Sequence, residues 1–489
     1  MEMPVQPPSP LAPKAARRGR MFSSSFALAA ALSAAACAAI PASQKGPPAK
    51  PISAYAVDRS FTAPTAAWPK SDWWTGFGDA QLTGLINEAL AGSPDLRIAE
   101  ARVRKAAAIR GETRANLLPQ VNFQGAAQHA HVGDQFGSPL GLAALNNGAD
   151  VGYAGLGMTW ELDFWGKNRT ALAAATSDQQ AAQAEREQAK LALSTAIAAQ
   201  YAELASLYAE RDTAADAVSI HRQTAELMSG RQAQGLENAA ACERARSSAE
   251  SSEAELAAID EAITNTRHGI AALMGEGPDR GLAIQRPSAQ ALSAPGLPAE
   301  LPANLLGRRP DIVAARLRTE AASHRIKSAK ASFYPNVNLM GFVGGGSLDL
   351  GSIASSGSLI GAIGPAVSLP IFNGGRLRSQ YRGAEADYEL AVAEYDRTVT
   401  HALNEVADAV TSRKDLQLRL GHSRESLRAA QLAYTVVNNR YRGGLATYLD
   451  VLSAEDSLIS ARRNVAGLES RAFTLDVAMV RALGGGFQS

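Results

Sequence analysis

The chain has 489 residues, 46% hydrophobic and 19% charged, which is too long for one ordinary domain and apolar enough for a sizeable core. Its 48 Lys and Arg balance 47 Asp and Glu, and the net charge of +1 provides no positive field for nucleic acid. Aromatics make up only 6% while Ala is abundant, which fits long, closely packed helices better than a β-sandwich or an α/β enzyme core. Mean hydropathy is −0.11, and beyond residue 40 no run reaches the roughly 18 apolar residues of a membrane-spanning helix. A membrane barrel stays open, because its strands alternate and never raise the average.

The N-terminus reads as an export signal over residues 1–36. Lys14, Arg17, Arg18 and Arg20 form a positive region, and Phe22 to Ala36 is a stretch of apolar and small residues. It ends in Ala34-Ala35-Ala36-Cys37, either an A-x-A cleavage site with an incidental Cys or a segment resembling a bacterial lipoprotein signal, in which Cys37 becomes the lipidated N-terminus. The latter departs from the usual pattern in having Ala34 where Leu is expected, and Ala38 stands where an inner-membrane-retaining Asp would be. Acyl chains contribute about 0.8 kcal/mol per buried CH₂, so several would anchor the protein firmly. With Cys37 lipidated, Cys242 has no intrachain partner, and no disulfide framework is expected. Pro41, Pro47, Pro48 and Pro51 mark residues 37–72 as an extended tether.

The rest of the chain repeats itself. Ser93-Pro94-Asp95-Leu96 opens a helix with Pro in its first turn, and Arg309-Pro310-Asp311-Ile312 opens a similar one. The first ends near Asn116, before Leu118-Pro119-Gln120-Val121-Asn122; the second ends before Tyr334-Pro335-Asn336-Val337-Asn338. Phe164-Trp165-Gly166-Lys167 answers Phe372-Asn373-Gly374-Gly375, and Arg231 to Leu236 answers Arg440 to Leu445. Landmarks in one order mean a tandem duplication, 73–283 and 301–489, joined by a linker at 284–300. Each copy is expected to run helix, strands, long helix, turn, long helix. Lys167 to Gln232 holds no Pro and only Gly230, and Arg376 to Arg442 holds no Pro, with Gly383 and Gly421 inside. Such helices would reach on the order of 90–100 Å, so they are expected to pack side by side as a rod or tube. Tyr388, Val392, Tyr395, Val399, Leu403, Val406 and Val410 span 22 residues in six steps, near the period of a straight helix. That spacing suits the wall of a cylinder and leaves a solid coiled-coil bundle as the alternative.

Each copy also holds about 40 residues of strand character between its short first helix and its long hairpin. In Gln120 to Gln128, Val121, Phe123, Gly125 and Ala127 alternate with Asn122, Gln124, Ala126 and Gln128. In Val151 to Leu162, Ala154, Leu156, Met158, Trp160 and Leu162 alternate with Tyr153, Gly155, Gly157, Thr159 and Glu161. The second copy is weaker: Asn336 to Val343, then Ile360 to Ile371 with apolar Ile363, Val367, Leu369 and Ile371. The pattern fits lipid-facing barrel strands, with soluble hairpins capping the helices as the bland alternative for any one of them. Four strands cannot close a membrane barrel of about eight or more, and open edges are not tolerated in lipid, so a membrane-inserted chain must oligomerise.

Enzymatic motifs are missing. Of seven histidines only His129 and His131 are close, and two ligands on one strand face are too few for zinc. Gly152 to Gly157 lies within a strand and lacks the order of a phosphate-binding loop; there is no nucleophile elbow or P-loop, and no cofactor or metal is expected.

Six stretches stand in order along the chain, beginning with Trp73-Trp74-Thr75-Gly76-Phe77-Gly78-Asp79-Ala80-Gln81-Leu82, Arg308-Arg309-Pro310-Asp311-Ile312 and Phe333-Tyr334-Pro335. Leu369 to Leu377, Arg440 to Gly444 with Tyr448-Leu449-Asp450-Val451-Leu452, and Ala482-Leu483-Gly484-Gly485-Gly486 complete the set. They give nearly the whole mature chain a resemblance to the TolC-like outer-membrane channels of tripartite RND-type efflux systems, specifically their lipoprotein branch. It implies a mainly α protein with a membrane β-barrel: a homotrimer in which each chain gives four strands to a 12-stranded barrel above a long helical tunnel. The 284–300 linker would then lie near the tunnel equator. The implied setting is the outer membrane of a Gram-negative bacterium, lipid-anchored and extending into the periplasm. There the tunnel would stay closed until a periplasmic adaptor (a membrane fusion protein) and an inner-membrane RND pump dock, and it would carry small molecules such as drugs outward. The resemblance places Asp450 in a ring of aspartates at the constriction, Tyr441 as a hydrogen-bonding tyrosine before the turn, and Gly235 and Gly444 at the helix turns. The residues themselves allow a solvated Asp near a helix start and a packed core Tyr. Ala446 stands where some relatives carry a latch arginine, and Ala241 where the first repeat often has an Asp; a latch using Arg231, Arg440 or Arg442 is expected instead. The competing class is a periplasmic adaptor or scaffold of helical hairpins without a pore, which needs one hairpin per chain and no lipid-facing strands.

Overall fold

A computed structural model describes residues 40–44, 46, 48–57, 59–61, 65–131, 148–288, 298, 301–347 and 349–488. The export signal, Cys37 and most of the expected linker lie outside them. The chain divides into two compact units: one holds Glu112–Ala173, Ser323–Tyr388 and the N-terminal stretch to Gly46; the other holds Pro47–Gly111, Ala174–Ala322 and Glu389–Ser489. No helix among the described residues is long and apolar enough to cross a membrane.

The first unit is built on an antiparallel sheet of β1 (Gln120–Ala130), β2 (Ala149–Glu161), β3 (Asn336–Ser347) and β4 (Leu359–Ser368), in the order β1-β2-β3-β4. The register aligns the expected apolar alternation across all four strands. Phe123 faces Leu156, which faces Val343, and Val121 pairs with Met158, Gly341 and Ile363 in the next row. One face therefore carries Val121, Phe123, Leu156, Met158, Leu339, Val343, Ile363 and Val367, while Asn122, Gln124, Tyr153, Thr159 and Asn338 share the other. Phe123 is 73% exposed and Ile363 72%, so in one chain this face has no cover. Gly155 and Gly344 are paired, and a Cβ on either would run into the backbone of the facing strand. Two boundaries differ from expectation. β4 stops at Ser368, so Leu369 and Ile371 lie beyond the ladder, where Pro370 has no N–H to offer it. β1 ends at Ala130, so His131 is not on the strand with His129, whose Nδ1 lies 2.9 Å from Asp150 Oδ1.

The helices are α1 (Ala80–Gly92), α2 (Pro94–Ala115), α3 (Lys167–Ala233), α4 (Ala239–Met274), α5 (Pro278–Leu282), α6 (Leu301–Arg308), α7 (Pro310–Ala331), α8 (Arg376–Arg442) and α9 (Tyr448–Ala482). Both α3 and α8 have 67 residues. In the second unit, the Trp73–Phe77 turn and α1 set Trp73, Phe77, Leu82, Leu85 and Ile86 into a core with Tyr201, Ile270, Met274 and Phe473. Asp79 organises this core. It caps α1 by accepting the Leu82 N–H at 3.0 Å, and its other oxygen accepts Tyr201 Oη at 2.8 Å and the Ser288 N–H at 2.9 Å. Burial acts to raise the Asp79 pKa, but these donors outweigh it and hold the carboxyl below its ordinary value. Ile284 to Ser288, the described start of the expected linker, are thereby tied down: Ile284 is buried and Gln285 N–H donates to Gln81. A second core joins Leu305, Ile312, Val399 and Leu403 to Tyr55, Val57, Phe61 and Trp68 of the tether. Buried Arg309 lies beside it, pairing with Asp311 and Glu405 at 2.6 Å each and donating to the Ala482 carbonyl.

Asp79→Ala removes a cap and strands the Tyr201 and Ser288 donors, an expected loss of about 2–3 kcal/mol. Thermal unfolding followed by circular dichroism should show it. Because the native pKa is lowered, this contribution is present above the ordinary carboxylate range and fades as pH falls, so wild type and variant should converge in acid.

Candidate functional site

The two helix turns carry the residues expected at the gate, and both are built by the same local rule. After α3, Gly235 adopts φ +74°, its N–H bonds Gln232 O at 2.9 Å, and Leu236 N–H reaches back to Arg231 O at 2.9 Å. After α8, Gly444 adopts φ +75°, bonding Tyr441 O at 2.9 Å, and Leu445 N–H reaches Arg440 O at 2.7 Å. These paired bonds satisfy the last helical carbonyls and require a left-handed residue, which a side chain resists. The returning helices start on Asn238, whose Oδ1 accepts Ala241 N–H, and on Thr447. Leu236, Leu445 and Leu449 are exposed at the turns.

Asp450 is the third residue of α9. Its Oδ2 accepts the Thr447 N–H at 2.8 Å and the Thr447 hydroxyl at 2.7 Å, a reciprocal capping box. The hydroxyl and amide of Thr447, with Arg440 adding a smaller pull, hold this fully exposed carboxyl below its ordinary pKa. It is thus both a helix-start Asp and a fixed negative charge.

Tyr441 is 2% exposed and packs with Met228, Ala241, Ala245, Tyr448 and Val451. Its hydroxyl donates to Glu237 Oε1 at 3.1 Å, tying the end of α8 to the turn after α3. Arg231 completes the cluster: its guanidinium carbon lies 4.9 Å from the centre of the Tyr441 ring, and its Nε lies 3.7 Å from Glu237 Oε1. Burial, reinforced by the Glu237 charge, pushes the Tyr441 phenol up to about 12, so it stays a donor. Arg440 instead bonds its own turn through the Leu445 carbonyl at 3.3 Å, and Arg442 is exposed. Glu237 was not singled out from the sequence. The signal was there: under the 209-residue offset of the two turns, Glu237 falls on Ala446 and Ala241 on Asp450, so each turn has one acid where the other has alanine. No cluster of metal-binding side chains is formed among the described residues.

A family model described as outer membrane efflux protein matches residues 85–276 and 301–485, and the chain belongs to that family, whose members are outer-membrane channel proteins rather than enzymes. Fusaric acid resistance protein FusA of Burkholderia cepacia is 38% identical over 328 residues, 66% of this chain and 61% of FusA, so this chain spans less than two thirds of that relative. Multidrug resistance outer membrane protein MdtP of Escherichia coli K12 is 29% identical over 87% of this chain and 88% of MdtP. Among solved structures, the outer membrane protein VceC of Vibrio cholerae superposes with a TM-score of 0.81 at 43% identity, over 86% of this chain and all of VceC. The expectation of a TolC-like outer-membrane efflux channel holds.

A double-mutant cycle of Tyr441→Phe and Glu237→Gln should give a coupling of about 1.5–3 kcal/mol, as for a hydrogen bond to a charged acceptor. Hydrogen exchange of the turn amides provides the readout. Additive effects would show that the two side chains do not act together.

Proposed function

We propose that three copies of this chain assemble into a conduit that carries small molecules out of the periplasm, with its gate at the helix turns. One observation carries the reading: a four-stranded sheet with an exposed apolar face and two unpaired edges, β1 and β4. Unpaired backbone groups cost several kcal/mol each in lipid, so such a sheet enters a membrane only when its edges find partners. Three copies supply twelve strands, enough to close a barrel, and the alternating strand order makes each β4–β1 junction antiparallel. A pore-free hairpin scaffold would have no use for this sheet.

At the turns, three Asp450 carboxylates around one axis would repel one another, attract cations and narrow the opening. The Tyr441–Glu237–Arg231 cluster is the latch, holding the second copy's hairpin to the first copy's turn, while Gly235 and Gly444 set the bends. Cys37 carries the lipid; in the described part of the tether Ser43 Oγ bonds Glu385 at 2.6 Å and Lys50 N–H bonds Asp396 at 3.0 Å. Residues 73–283 and 301–489 act as the two repeats. A periplasmic adaptor docks and loosens the latch, and an inner-membrane RND pump selects the cargo. The names of relatives range from fusaric acid resistance and multidrug resistance to cation efflux, as expected if selection lies with the pump.

Unboiled protein on an SDS gel should run as a trimer that collapses on heating; a detergent-free monomer would overturn the assembly. In planar bilayers the channel should show small, cation-preferring conductance, and Asp450→Ala should reduce that preference severalfold. Thr447 lowers the Asp450 pKa while repulsion within the ring raises it, and wild-type selectivity should fade as acid protonates the ring. Unchanged selectivity in the variant would remove Asp450 from the gate.

A further inference from the structure

α9, which carries Asp450 in its first turn, makes polar contacts with α3 and α4 through Arg462, Arg463 and Glu455. Two are partly exposed ion pairs: Arg462 with Asp216 of α3 at 2.8 Å, and Arg463 with Glu255 of α4 at 2.5 Å. The third is different. Glu455, less than two turns from Asp450, has no solvent exposure at all. Its Oε1 accepts the Thr224 hydroxyl of α3 at 2.8 Å, but its buried Oε2 has no hydrogen-bond partner and lies 3.7 Å from His221 Nδ1, beyond hydrogen-bond reach. The charged and titratable groups facing it are His221 from α3, Tyr434 from α8, and Tyr448 and Asp456 from α9, with Arg463 and Glu255 further along. The Tyr448 hydroxyl is also buried without a partner. The basic group beside Glu455 is His221, 3.7 Å away and charged only if protonated, so an ionised carboxylate would be buried with one oxygen lacking a hydrogen bond. A neutral carboxylic acid fits. A polar cavity of about 460 Å³, lined by His221, Ser251, Ser252, Asp456, Ser460 and Arg463, adjoins the pair on the His221 side and offers water to a departing proton.

We propose that Glu455 is a protonation-controlled lock on the gate helix: protonated it holds α9 against α3, and ionised it releases α9. The proposal rests on the reading of the Asp450 turn as the gate. Burial, opposed by Thr224 and aided by the neighbouring Asp456 charge, pushes Glu455 up to about 7. Burial also pushes His221 down, with the Asp456 charge opposing it. For an acid whose packed-state pKa is raised, stabilisation is complete below the ordinary carboxylate value and is lost as pH climbs through about 7. The lock therefore loosens with alkalinisation, in the direction opposite to protonation of the Asp450 ring.

The test uses full-length protein in lipid nanodiscs on a Cys242→Ser background, with spin labels at exposed Gln223 of α3 and Ser457 of α9 in trimers diluted with unlabelled chains. Between about pH 5 and about pH 8.5, the long-distance population should grow by up to tenfold per pH unit, the limit for one proton released per chain. Glu455→Gln, neutral at every pH, should keep the short distance throughout, and Glu455→Met, apolar and of similar volume, should do the same. A wild-type distance indifferent to pH, or a Gln variant that still responds, would overturn the proposal. Conductance recorded in parallel separates it from the gate reading: distances that shift with pH while conductance stays constant would uphold the lock and overturn the gate.

Discussion

A peptide N–H or C=O with no partner in hydrocarbon costs several kcal/mol, and the outer sides of β1 and β4 carry whole rows of them. That penalty sets the protein's copy number and membrane placement. Among the described residues no further strand reaches either edge: the helices after β2 lead on to β3, which joins β2, and the 67-residue helix after β4 is followed by α9. The apolar row through Phe123, Leu156 and Val343 and the next through Val121, Met158 and Ile363 are costly in water and favourable in lipid. Edge pairing and face burial therefore demand the same environment.

The chain carries two similar hairpins, and their turns share one backbone geometry while differing in where the acidic side chain sits. Both keep the left-handed glycine and the leucine that follows it, because the end of a long helix needs its carbonyls satisfied in either copy. The acids have parted. Glu237 sits before the cap in the first turn and accepts from Tyr441 of the other copy; Asp450 sits inside the cap in the second and keeps its charge in solvent. One acid holds the two halves together, and the other faces outward as a fixed charge.

Buried polar groups elsewhere in the helical unit are of two kinds. Asp79 and Arg309 are fully engaged, with several donors or acceptors each, and they fix the core around the start of α1 and the start of α7. Glu455 is only half engaged, with one oxygen on Thr224 and the other without a hydrogen-bond partner, 3.7 Å from His221 Nδ1. A satisfied network favours a single arrangement. A half-satisfied one is sensitive to whatever changes its charge.

What the sequence determined by itself was local. Proline at the helix starts, glycine after their ends, the alternation in Val121–Phe123 and the long Pro-free stretches each act within a few residues, so they read directly as helices, strands and turns. The end of β4 at Ser368 is not visible in the pattern, because Leu369 and Ile371 continue the apolar alternation after the ladder has stopped. Tertiary structure alone decided the register that puts four apolar alternations on one face, and the meeting of Tyr441 with Glu237 across 204 residues. It alone placed Glu455 between Thr224 and His221. Such pairings depend on how one long helix is rotated and shifted against another, a quantity fixed by the packing of the whole interface and by no short stretch of chain.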